Sequence, residues 1–143
     1  MIIGLTGYAI AGKTAVAAYL QTKRFELLKY SAENLAKVAK LPNGEYVFDD
    51  LKTPEEVAAL KQCGRFSLWS VEAPMPILYE RLKTSQKGKP GTFAEFRQRE
   101  TTELTSDAGQ KLFKCRKLAD YNIVNDGSIE ELHYKIDLIL QEI

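Results

Sequence analysis

The chain is poor in the residues that build covalently stapled or metal-stapled scaffolds. Of its 143 residues only Cys63 and Cys115 are cysteine, far apart and without a CxxC spacing. Two cysteines make no disulfide framework, and a reduced, cytoplasmic setting is the simplest reading. A single histidine, His133, argues against a His/Cys zinc site. No apolar stretch approaches the roughly 20 residues of a membrane span. The amino terminus lacks the basic segment of a secretory leader, and its apolar run breaks at Gly7. Repeats and low-complexity tracts are missing as well. So is a net charge of either sign: 20 basic residues against 19 acidic ones leave +1, which excludes a protein that coats polyanions.

What remains is an ordinary globular composition, 45% hydrophobic and 27% charged, at a length that fits one domain. The near-zero sum hides an asymmetry. Between Arg81 and Lys117 ten Lys/Arg accompany four Asp/Glu, whereas the rest of the chain carries ten against fifteen. One part of the surface is therefore expected to handle anions.

The hydrophobic pattern alternates short apolar runs with amphipathic ones. Met1–Thr6, Phe25–Tyr30, Tyr46–Phe48, Phe66–Val71 and Tyr121–Val124 read as buried strands. Between and after them, helices are expected over Thr14–Leu20, Asn34–Lys40 with Ser31 as cap, and from Thr53-Pro54-Glu55-Glu56 to Gly64. Further helices are expected over Ile77–Leu82, from Thr92 onward, over Lys111–Ala119, and from Ser128 to the end. Thr84–Gly91 reads as a polar, basic loop. Strands alternating with helices predict a three-layer α/β/α domain around a five-stranded parallel sheet. In such sheets ligands bind beyond the carboxyl ends of the strands.

The segment after the first strand, Gly7-Tyr8-Ala9-Ile10-Ala11-Gly12-Lys13-Thr14, fits GxxxxGK[ST], the P-loop. A strand before it and a helix after it argue against a chance match. The glycines let the loop curl, so that backbone N–H groups from Gly7, Ala9, Ala11, Gly12, Lys13, Thr14 and Ala15 can surround phosphate oxygens. Lys13 can bridge the outer phosphates, and the Thr14 hydroxyl can ligate Mg²⁺. Asp49-Asp50 ends the third strand, where a carboxylate can hold the same Mg²⁺; Asp49 is favoured as the metal-side residue. The pair also reads as an ordinary acidic strand end or helix cap.

These motifs resemble the P-loop nucleotide and nucleoside-monophosphate kinase superfamily, most nearly dephospho-CoA kinases and deoxynucleoside-monophosphate-kinase-like proteins. The resemblance runs through the P-loop, Tyr46–Val57, Val71–Pro74 with Tyr79–Leu82, and Ala119–Ser128 with Glu131-Leu132. It implies a P-loop kinase fold, ATP and Mg²⁺ as cofactors, and a small nucleotide-like acceptor. It implies that the backbone of Asn125–Gly127 touches adenine and that residues 84–92 form a short lid. It makes Arg81, Lys87 and Lys89 charge stabilisers, with Arg97, Arg99 and Arg116 behind them; each alone also reads as a solvated surface cation. Two departures stand out. Lys52 occupies a position where relatives carry Arg, which loses bidentate phosphate binding. Only about fifteen residues separate Ser31 from Val47, so the acceptor-binding segment, about 31–46, is reduced. In dephospho-CoA kinases an Asp after the second strand looks like the base for the acceptor hydroxyl. Glu33 is its nearest match here, and reads equally as a solvated first-turn helix acid. Asp49 and Asp50 remain alternative bases, as does the use of no base at all.

The expected activity is transfer of the ATP γ-phosphoryl group to dephospho-CoA or a (deoxy)nucleoside monophosphate. The expected catalytic set is Lys13, Asp49, Arg81 and Glu33, with Thr14 and Asp49 on the metal. The alternative is a non-enzymatic ATP-binding sensor or interaction module. A GTPase switch is disfavoured by the lack of NKxD and DxxG, and nucleic-acid binding by the lack of aromatic platforms among the cations.

Overall fold

A computed structural model of the chain describes residues 1–8, 10–84 and 91–143. The element order is β1 (Ile2–Thr6), α1 (Lys13–Thr22), β2 (Glu26–Leu28), α2 (Ala32–Lys40), β3 (Tyr46–Phe48), α3 (Pro54–Lys61), β4 (Phe66–Glu72), α4 (Met75–Thr84), α5 (Phe93–Thr105), α6 (Asp107–Lys117), β5 (Tyr121–Val124) and α7 (Ile129–Glu142). All of the pairings are parallel, in the order β2-β3-β1-β4-β5. Central β1 is buried along its whole length because it has a strand on either side and helices over both faces.

Side chains alternate along the strands and so build two cores. Ile3, Leu5, Val47, Trp69, Val71 and Ile123 face Val16 and Leu20 of α1 and Leu132, Ile136 and Ile139 of α7. Ile2, Tyr46, Phe48 and Leu68 face Val38 of α2, Val57 and Leu60 of α3, and Cys115 of α6. The expected three-layer α/β/α architecture with a five-stranded parallel sheet is therefore the one found.

Helix starts follow local chemistry. Ser31, Thr53, Thr92, Ser106 and Ser128 each accept a backbone N–H three residues on, satisfying one of the donors a helix leaves open. The differences from expectation are at edges. β2 is shorter than Phe25–Tyr30, since it pairs with β3 alone and the Phe25 N–H turns back to the Leu20 carbonyl. The helix expected over Lys111–Ala119 starts at Asp107, because Ser106 closes α5 and caps α6 at once. Both cysteines are free thiols. No helix among the described residues is long and apolar enough to cross a membrane. Ala9 and most of the expected lid, including Lys87 and Lys89, lie outside the described residues.

Leu132→Ala, which empties a fully enclosed site between α7 and the sheet, is expected to lower stability by about 2–5 kcal/mol. Urea unfolding followed by emission from Trp69, which is wholly buried in the same core, measures it.

Candidate functional site

The turn between β1 and α1 is held open by its two glycines. Gly7 has φ 138°, and a Cβ there would lie 2.2 Å from the Val71 carbonyl oxygen of β4. Gly12 has φ 111°, and a Cβ there would lie 2.1 Å from the Asn125 amide nitrogen. Both the backbone conformation and the lack of room exclude side chains at these positions. The Ala11 N–H closes a turn on the Tyr8 carbonyl at 3.1 Å. Gly12 begins α1 without a side-chain cap, and the first turn of α1 carries no acid. The helix thus presents unoccupied N–H groups and its positive end to the loop interior. Ala11 is buried, Ala15 is half-buried in the first turn, and Thr14 is exposed beside it.

Lys13 is only 5% exposed. Its ammonium donates to the Gly7 carbonyl at 2.7 Å and to Asp50 Oδ1 at 2.6 Å. The other Asp50 oxygen lies 3.4 Å from the Lys52 Nζ. Burial pushes the Asp50 carboxyl up, but Lys13, aided by Lys52, outweighs it and holds the group below its ordinary value. Asp50 adopts φ 62°, a left-handed conformation that glycine takes without cost and other residues seldom take. Its neighbour Asp49 behaves oppositely. Its Oδ1 is buried with no hydrogen-bond partner. Burial first, and the Asp50 charge second, raise its pKa against the pull of Lys13. The segment is fixed against β1 by two bonds of 2.8 Å, from the Leu51 N–H to the Leu5 carbonyl and from the Thr6 hydroxyl to the Leu51 carbonyl.

Arg81, on α4, aims its guanidinium at backbone. Nη1 donates to the carbonyls of Ile10 and Ala11 at 3.3 and 3.2 Å, and Nη2 to the Asn125 carbonyl at 2.5 Å. The Asn125 amide donates to the Ala11 carbonyl at 3.0 Å, while its N–H donates to the Glu72 carbonyl at 2.7 Å. Gly127 follows in the turn before the Ser128 cap, where a Cβ would strike Glu131 Oε2 at 1.9 Å. Arg116 pairs with Glu72 at 3.0 Å and lies over the Tyr8 ring, 4.8 Å from its centre. Its Nε is buried without a partner. Arg97 and Arg99 are exposed on α5.

A cavity of about 830 Å³ opens beside this loop. Its polar end carries Lys13, Asp50, Lys52 and Thr53; its walls carry Leu78 and Leu82 from α4, Leu104 from α5 and Leu112 from α6. Glu100 also lines it, and burial, then the Glu103 charge, raises its pKa against Arg99. Neither Glu33 nor any other residue of 31–46 lines it. The reason is topological: β3 lies between β2 and β1, so the segment after β2 is displaced one strand from the P-loop. Glu33 sits exposed in the first turn of α2. The wall from α5 and α6 was missed by reading motifs alone. Its signal was the pair Ala108 and Leu112, spaced by four as on one face of α6.

A parallel sheet of this order with a GxxxxGK[ST] turn between its central strand and the first helix defines an α/β P-loop kinase fold. The solved structures agree. The shikimate kinase of Bacteroides thetaiotaomicron matches with a TM-score of 0.66 at 14% identity, over 99% of this chain and 98% of that one. The shikimate kinase of Aquifex aeolicus matches with 0.61 at 16%, over 99% and 97%. No family model matches the chain. In sequence it is similar to UPF0200 proteins: that of Hyperthermus butylicus is 31% identical over 111 residues, 76% of this chain and 56% of the relative. That of Staphylothermus marinus is 32% identical over 105 residues, 73% and 53%. The chain spans about half the length of these curated relatives.

The two carboxylates are distinguishable by pH. A raised Asp49 pKa means that, just above the ordinary carboxylate value of about 4, folded Asp49 keeps a proton that the unfolded chain has lost. Its contribution therefore falls as pH rises through that window. Asp49→Asn is expected to flatten this slope and raise the urea midpoint of the ligand-free protein at neutral pH. Asp50, whose pKa is lowered, contributes stability above the ordinary value that is lost on acidification. Asp50→Asn is therefore expected to lower the midpoint at neutral pH, and paired unfolding curves across acid pH separate the two.

Proposed function

We propose that the chain is an ATP- and Mg²⁺-dependent small-molecule kinase. The observation that carries this reading is Lys13, buried at the mouth of a glycine-framed loop and facing an 830 Å³ cavity. Uncapped helix N–H groups and a lysine ammonium lie there, and the unpartnered Asp49 oxygen belongs to a carboxyl that feels the Lys13 charge. The first two suit the phosphates of a nucleoside triphosphate. Asp49 and Thr14 would hold Mg²⁺, a hard cation that takes oxygen ligands and needs only one or two carboxylates beside substrate phosphates. The orphaned Asp49 Oδ1 fits that task. The ion, when bound, neutralises charge on the transferring group.

Asp50 keeps Lys13 turned over the loop in the ligand-free protein, and an arriving phosphate competes with it for the ammonium. The acceptor enters the cavity from the α5–α6 side, with its hydroxyl toward Lys13 and Asp50 and its apolar part on the leucines. The leucine walls would lower the water around a bound acceptor and so limit hydrolysis. The sequence resemblance favours dephospho-CoA or a (deoxy)nucleoside monophosphate as acceptor, and the likeness to shikimate kinases adds small hydroxylated acids to the candidates. Asp50, which lines the cavity, would receive the acceptor proton once a phosphate has drawn Lys13 away; Glu33 is not on the cavity wall.

A coupled ADP-release assay over these acceptors tests the reading. Acceptor-dependent turnover is expected, falling at least about a hundredfold in Lys13→Ala through loss of a preorganised charge. ATP binding by calorimetry without turnover on any acceptor would instead favour a nucleotide-binding sensor. Gly12→Ala is expected to abolish ATP binding, because its Cβ drives Asn125 away from the loop.

A further inference from the structure

We propose that Arg81 is a positioning residue for the phosphate loop, acting with Asn125 as one clamp. This rests on the reading that residues 7–14 hold a polyphosphate. The Ala11 carbonyl is the centre of the arrangement, accepting from Arg81 Nη1 at 3.2 Å and from the Asn125 amide at 3.0 Å. The same guanidinium takes the Ile10 carbonyl and, through Nη2, the carbonyl of Asn125 itself. Three acceptors on two loops are thus gathered by one planar fork, which a lysine cannot imitate.

In a trans peptide the C=O and N–H of one plane point in opposite directions. Pinning the Ala11 carbonyl toward Arg81 and Asn125 therefore turns the Gly12 N–H away from them, into the loop. The Ile10 carbonyl fixes the Ala11 N–H in the same way, and that group closes the turn on Tyr8. Asn125 is itself anchored, since its N–H extends the β4–β5 pairing to the Glu72 carbonyl. Gly12 permits the approach, because any Cβ there would occupy the site of the Asn125 amide. Arg81 thereby sets which way the loop amides face without touching a phosphate, and joins the turn after β5 to the loop after β1 as one rigid body. Its charge is directed at carbonyl oxygens rather than toward the cavity, and it is not among the residues lining that space.

The test is calorimetric titration with ATP and, separately, with inorganic tripolyphosphate, which has no base to recognise. Arg81→Lys and Asn125→Ala are each expected to weaken both ligands by a similar factor, roughly tenfold. The double variant should lose little more than either single one, as partners in one network do. Far-ultraviolet circular dichroism and Trp69 emission establish that the variants are folded; should Arg81→Ala fail to fold, the Lys and Asn125 variants carry the test. Weakened ATP with unchanged tripolyphosphate would overturn the proposal in favour of a direct contact between Arg81 and the base. Unchanged binding of both ligands by the folded variants would also overturn it, while leaving the kinase reading intact. Failure of the wild-type protein to bind either ligand would overturn that reading and the clamp together.

Discussion

The structure around the site depends on one constraint: the ammonium of Lys13 is buried and must be met by oxygen. A buried charge is costly unless it is paired and hydrogen-bonded. Here the Gly7 carbonyl and the Asp50 carboxylate meet it. Satisfying that demand requires the loop after β1 to fold back on itself and the loop after β3 to come alongside. Parallel pairing of β1 with β3 brings their carboxyl ends together. The left-handed backbone of Asp50 is the local cost of aiming its side chain at the lysine.

The same crowding separates two adjacent acids. Asp50 faces cations and is held ionised; Asp49 is half-buried, with one buried oxygen left unmatched, and resists ionisation. Neighbours in sequence thus differ in chemistry, because successive residues at a strand end point in different directions. A lysine already paired thus stands near an acidic oxygen without a partner. The cost of holding Asp49 there is carried by the surrounding packing.

Around this centre the molecule divides its work by layer. Helices α1 and α7 close one face of the sheet and α2, α3 and α6 the other, while α4, α5 and α6 rise beyond the strand ends to wall the cavity. The fold is shared with shikimate kinases at 14–16% identity over 99% of this chain. On the proposed kinase reading, the wall residues are where one acceptor would be told from another, since they supply the apolar surface and the few polar groups that a ligand in the cavity would meet.

Much of this was legible in the residues themselves. Strand and helix order, helix caps such as Thr53 and Ser128, and the P-loop come from short-range rules: apolar periodicity, capping side chains and glycine spacing. The position of residues 31–46 did not, because the strand order that sets β2 at the sheet edge, with none of these residues lining the cavity, is a long-range result. Nor did the partner of Lys13, since Asp49 and Asp50 are equivalent as letters. Arg81 read as a charge stabiliser, and only the structure shows its guanidinium against three backbone carbonyls. By itself the sequence determined the architecture and the phosphate loop, because those are set by residues within a few positions of one another. Tertiary structure alone decided which acid meets the lysine, which helices wall the cavity and what Arg81 grips, because those depend on strand order and on side-chain direction across the fold.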